Sequence, residues 1–175
     1  MEDIAERADV SVGTVYNYFG SKNVLLLAGV EEDTNAMVER GASVLARPGT
    51  NPRKATQRLV AVYLDQFTDW DPALLREVLS ASFGRSGGIE LSAGLARMDE
   101  RLIEQVATLL AGFQDRGRLR DDVEPLEATL LVFSAMVIQL FMYLALEGFD
   151  KEMLVRQVNR QVDLAFDGLA KADGS

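Results

Sequence analysis

Apolar residues return every three or four positions along most of this chain. Leu91, Leu95, Met98, Leu102, Val106, Leu109 and Phe113 form one series. Leu59, Tyr63, Phe67 and Trp70 form a second, and Leu154, Val158, Val162, Phe166 and Leu169 a third. Such spacing places each series on one face of an α-helix. Val30, Met37 and Val44 mark a stripe of a longer helix that starts near Ser21. No segment alternates apolar and polar residues between hairpin turns, so no strand is predicted. Breakers separate the helices: the loop Arg47-Pro48-Gly49-Thr50-Asn51-Pro52, then Asp71-Pro72, Ser86-Gly87-Gly88, Gly117 to Pro125 and Gly148-Phe149-Asp150. Asp71 and Asp150 suit helix N-caps, and Pro72 and Pro125 suit first helical positions. The pattern predicts an all-α chain of two short helices followed by six longer ones. The natural division falls at the Arg47 loop, giving units of 1–46 and 47–175.

The first 27 residues hold the two short pieces. Ile4, Ala5 and Ala8 give the first piece a small apolar face. Asp9 follows where the chain must turn, and aspartate tolerates the left-handed backbone that such a turn needs. Ser11 suits the N-cap of the second piece, Val12 to Phe19, in which Val15 and Phe19 face inward. Thr14, Tyr16, Asn17 and Tyr18 then project elsewhere. Ser21 caps the long third helix, with Lys22 in its first turn. A lysine there opposes the helix dipole, but it becomes useful if an anion binds at that helix end.

Composition narrows the chemistry. The chain has 175 residues with no cysteine and no histidine. Disulfides, thiolate metal sites and cysteine nucleophiles are excluded, and the commonest general base and metal ligand are missing. A Ser-His-Asp triad cannot be built from this chain alone. There is no glycine-rich phosphate loop and no paired-carboxylate motif on a helix. No catalytic residue, metal or cofactor is therefore assigned, and an enzyme is not expected. The net charge of −9 argues against a generally basic nucleic-acid binder. Locally the picture differs, because no Asp or Glu occurs between Val10 and Val30. Hydroxyls, an amide and one lysine make an acid-free patch of the kind that phosphate contacts require.

From Ala128 to Leu146 no charged residue occurs in 19 positions. That length approaches a membrane span. However, the run contains Thr129, Ser134 and Gln139, and it is flanked by Glu127 and Glu147 rather than by Lys or Arg anchors. A helix buried in a bundle or subunit interface is expected, with no membrane. The acidic, mixed N-terminus is not a secretory signal, and a cytoplasmic protein is expected.

The segment from Ile4 to Leu27 resembles the helix-turn-helix of the TetR family of bacterial transcriptional regulators. The resemblance rests on Ile4-Ala5, Ala8, Val10-Ser11, Gly13-Thr14-Val15-Tyr16, Tyr18-Phe19, Ser21-Lys22 and Leu25-Leu26. Arg116 to Thr129 resembles the stretch before the penultimate helix of that family. The family usually has Gly where this chain has Asp9. It also has a helix before Ile4-Ala5, so the resemblance implies a truncated three-helix unit followed by an α-helical ligand-binding and dimerisation domain.

Several expectations follow from the resemblance. Val12 to Phe19 would be the recognition helix in the major groove. Thr14, Tyr16 and Tyr18 would touch phosphates or base edges, Asn17 would help read bases, and Ser11 and Lys22 would hold the DNA backbone. Val15 and Phe19 would pack the unit. Leu126 to Leu146 and Glu152 to Lys171 would pair with a second copy, giving a homodimer that binds an inverted-repeat operator. A small-molecule effector would occupy the helical domain. Candidate lining residues are Tyr63, Phe67, Trp70, Phe83, Met98, Phe113, Phe133, Met136 and Phe141, although aromatics and methionines at helical spacing are often plain core. A lipophilic or aromatic ligand is expected. The function expected is that of a repressor released by its ligand. The alternative is a ligand-binding or interaction dimer that has lost DNA binding with the missing first helix.

Overall fold

A computed structural model describes residues 1–83 and 88–169, excluding the side chains of 82, 83, 88, 90 and 169. Among the described residues the chain forms helices and no strand. In order these are α1 (Glu2–Arg7), α2 (Val12–Phe19), α3 (Lys22–Ala46), α4 (Pro52–Asp69), α5 (Pro72–Phe83), α6 (Gly88–Gln114), α7 (Pro125–Ala145) and α8 (Lys151–Leu169).

The helix ends follow local chemistry. Ser11, Ser21 and Asn51 each accept a bond at Oγ or Oδ1 from the backbone N–H three residues on, at 3.1, 3.2 and 3.0 Å. Asp150 Oδ1 does the same for Met153 N–H at 2.8 Å, and Asp71 Oδ1 accepts from Ala73 N–H at 2.8 Å. These caps satisfy N–H groups that the helices leave unpaired. Pro52, Pro72 and Pro125 open their helices, where a missing N–H costs nothing. The turn after α1 bonds Val10 N–H to Ala5 C=O at 3.0 Å and Asp9 N–H to Glu6 C=O at 3.2 Å. That pair of bonds is a Schellman motif, and it requires Asp9 to adopt φ 54°.

All of the predicted apolar stripes face inward. From Leu91 to Phe113 every member of the series is buried, as are Leu59 to Trp70 and Leu154 to Phe166. Leu169, the last of its series, lies outside the described side chains. One continuous core joins α3 through α8. The small unit α1–α2 packs on the start of α3, and α3 then runs on between α4 and α6. This long helix thus belongs to both parts of the molecule. It approaches α6 closely at two points. A Cβ on Gly94 would collide with the Leu27 side chain, and one on Gly41 would collide with Gln105. Between them lies a buried polar relay. Tyr63 Oη donates to Gln105 Oε1 at 2.7 Å, and Gln105 Nε2 donates to Val38 C=O at 2.7 Å. Satisfied in this way, the relay fixes the register of α3, α4 and α6.

Candidate functional site

The first candidate region is the outer face of α2. Only Val15 of this helix is buried, and Phe19 is half-buried. Tyr16 is 48% exposed and Tyr18 83% exposed. Asn17 and Ser11 are also exposed, and Thr14 is half-buried. Ser11 Oγ and Thr14 Oγ1 lie 2.8 Å apart, so the cap and the first turn share one hydroxyl cluster. Five of the sequence candidates therefore sit on α2 or its N-cap, and none of these side chains is needed by the core. The carboxylates of this unit, Glu2, Asp3, Glu6 and Asp9, all lie on or just after α1.

Lys22 stands apart from the others. Its Nζ lies 3.3 Å from Glu77 Oε1 on α5, with both side chains largely exposed. An exposed pair of this kind is worth about 0.2–1 kcal/mol, so a phosphate can compete for the ammonium. The sequence pattern carried no sign of this partner, which lies 55 residues away.

The second candidate region is a half-open cavity of about 570 Å³ bounded by α4, α5, α6 and α7. Phe67 comes from α4, and Leu75, Val78 and Leu79 from α5. Met98 and Asp99 come from α6, and Phe133, Ser134, Met136, Val137, Ile138, Leu140 and Phe141 from α7. Of the candidates read from sequence, Phe67, Met98, Phe133, Met136 and Phe141 line it. Tyr63, Trp70 and Phe113 do not. Tyr63 belongs to the Gln105 relay, and Trp70 Nε1 donates to Asp33 Oδ2 at 2.7 Å while its ring meets Phe67 edge-on at 5.3 Å. Phe113 is fully buried beneath the Arg116 guanidinium, 4.5 Å from its ring centre. Phe83 lies outside the described side chains. Sequence reasoning passed over Asp99. Its carboxyl is partly buried, and desolvation pushes its pKa up from 3.8 to about 6.

The two regions adjoin through neighbouring helices. Met98 and Asp99 lie about one helical turn beyond Gly94, where α6 meets Leu27 of α3. Glu77, the partner of Lys22, stands on α5 between the cavity residues Leu75 and Val78.

A third feature is the outer side of α7 and α8. Leu130, Leu131, Ile138, Phe141 and Leu164 are exposed there. α7 is long and apolar enough to cross a membrane by length and composition, with a mean hydropathy of 2.0. Its inner face is nevertheless core: Ala128, Val132, Met136 and Leu140 are buried against neighbouring helices.

The geometry is that of a helix-turn-helix unit joined by one long helix to a cavity-bearing helical body. The model of bacterial regulatory proteins of the tetR family matches residues 1–28. The HTH-type transcriptional repressor KstR of Rhodococcus jostii (strain RHA1) is 34% identical over 134 residues, covering 75% of this chain and 55% of KstR. The chain thus spans about half the length of that curated relative. In fold it is similar to Thermus thermophilus FadR, a TetR-family transcriptional repressor in complex with lauroyl-CoA, with a TM-score of 0.69 at 19% identity, covering 98% of this chain and 86% of FadR. It is equally similar to SmeT, the repressor of the Stenotrophomonas maltophilia multidrug efflux pump SmeDEF, with a TM-score of 0.69 at 20% identity, covering 97% and 79%. The chain belongs to the TetR family of bacterial transcriptional regulators.

Proposed function

We propose that this protein is a cytoplasmic, ligand-responsive repressor that binds an inverted-repeat operator as a homodimer. The observation that carries the reading is the outer face of α2. It presents Thr14, Tyr16, Asn17 and Tyr18 without a carboxylate, on a chain whose net charge is −9. Packing does not require that face, whereas contact with phosphates and base edges does. Ser11 and Lys22 flank it as backbone contacts. KstR is itself a transcriptional repressor, which favours repression over activation.

Dimerisation through α7 and α8 accounts for their exposed apolar side. Leu131, Ile138 and Leu164 rim a groove between these helices. Gln161 beside them has a buried Oε1 with no hydrogen-bond partner among the described residues. An isologous partner covers such a surface and can supply the missing donor, so no membrane is needed. Two copies then present two α2 helices, and the operator has matching two-fold symmetry. The cavity of about 570 Å³ suits a lipophilic effector. Filling it shifts α6 and α5 against α3, which changes the spacing of the two α2 helices and releases DNA.

The test is selection from a random duplex pool at moderate salt. An enriched inverted repeat, whose binding weakens steeply as salt rises, is the expected result. A folded dimer that enriches no sequence would refute the operator-binding reading. It would favour the ligand-binding dimer without DNA affinity.

A further inference from the structure

Among the described residues, the cavity walls are apolar except for the Asp99 carboxyl and the Ser134 hydroxyl. We propose that the effector is a lipophilic cation, a protonated amine on an apolar body, and that Asp99 is the group that receives its charge. This rests on the reading of the cavity as the effector site.

Asp99 has no ion pair or hydrogen bond among the described residues. The two basic residues nearest in sequence turn to α3 instead: Arg97 approaches Glu31 at 3.7 Å, and Arg101 Nη1 donates to Asn35 at 2.8 Å. Among the described residues, the walls from α4, α5 and α7 present no titratable side chain. A carboxylate held among apolar walls without a counter-charge is unfavourable, and a leucine there would pack better. Burial raises its pKa, with no charge among the described residues contributing. The residue thus weakens the empty protein, with its remaining exposure to water offsetting part of the cost. A cation restores the missing counter-charge. A carboxylate headgroup would face like-charge repulsion in a medium of low dielectric. The phenyl rings of Phe67, Phe133 and Phe141 in the same walls add faces that attract a cation further.

Trp70 is the only tryptophan, and its ring packs on Phe67 of the cavity wall. Its fluorescence therefore reports occupancy. The experiment titrates the full chain at pH 7.5 with decylamine, decanol and decanoate, below their aggregation concentrations, and repeats this with Asp99→Asn. Decylamine should saturate the Trp70 signal at a concentration at least about tenfold below decanoate, with decanol between them. In Asp99→Asn the amine should fall to within about threefold of the alcohol, while decanol is nearly unchanged. If decanoate binds as tightly as decylamine, or if the amine preference survives in Asp99→Asn, the assignment is overturned. In both cases the cavity still binds ligand. If none of the three probes binds, the effector-site reading itself fails, and this inference with it.

Discussion

Asp99→Asn should make the free protein more stable at neutral pH, by an amount that vanishes in acid. The substitution keeps the shape of the side chain and removes its charge. In the fold the Asp99 carboxyl titrates at about 6 rather than at its ordinary 3.8. A displacement of about two pH units at about 1.4 kcal/mol each corresponds to roughly 3 kcal/mol. The side chain keeps partial exposure, so this is an upper bound. The sign follows from the order of the two values. The unfolded chain gives up the proton first, so below about pH 3.8 the group contributes no penalty. Between about pH 4 and 6 the ionised unfolded state is favoured increasingly, and above pH 6 the penalty is complete. Urea unfolding of both proteins at fixed concentration, from pH 4.5 to 7.5, isolates the effect, because the other carboxylates titrate equally in each. The stability difference should grow by up to about 2 kcal/mol across that range in favour of Asp99→Asn. A difference that stays flat would refute the claim that this carboxyl is desolvated and unpaired.

Four further predictions concern the other elements. Tyr16→Ala should weaken operator binding about tenfold or more in a gel-shift titration while leaving the melting temperature nearly unchanged, since the side chain is half exposed. An equal loss of melting temperature would make Tyr16 a packing residue. Glu77→Gln should tighten DNA binding about two- to fivefold by freeing Lys22, whereas Lys22→Ala should lower the slope of log affinity against log salt by roughly one contact. Asp9→Gly should stabilise the protein by about 0.5–1 kcal/mol in thermal unfolding, because φ 54° is strained for any residue with a Cβ. Tyr63→Phe should destabilise by about 1–2 kcal/mol through the orphaned Gln105 Oε1, yet leave decylamine affinity unchanged, since Tyr63 lies outside the cavity.

Local chemistry alone was sufficient to read the helices. Each cap and each stripe depends on residues within four positions of one another, so Ser11, Ser21, Asp71, Asp150 and the series from Leu91 to Phe113 were legible along the chain. The face of α2 was legible for the same reason: its exposed residues are those left over once Val15 and Phe19 turn inward. The cavity was not legible. Tyr63, Met98 and Phe113 recur at the same helical period and are all buried, yet only Met98 lines the cavity. Which buried residue borders empty space depends on how α4, α5, α6 and α7 diverge, and periodicity does not record that.

Asp99 shows the limit most clearly. It stands four residues after Leu95 and three before Leu102, at the edge of an apolar stripe, followed by the charged pair Glu100 and Arg101. Along the chain it resembles the first residue of a solvated face. Only the arrival of α5 and α7 from distant positions covers that edge and removes part of the carboxyl's water. The Lys22–Glu77 pair and the seating of Leu27 on Gly94 arise in the same way, from helices that meet far apart in sequence. The sequence by itself determined the helices, their inner faces and the DNA-reading candidates, because hydrogen bonding, capping and amphipathic period act over one or two turns. Tertiary packing alone decided where the cavity opens, which charge faces it and how it connects to α2, because desolvation and contact depend on which helices lie side by side.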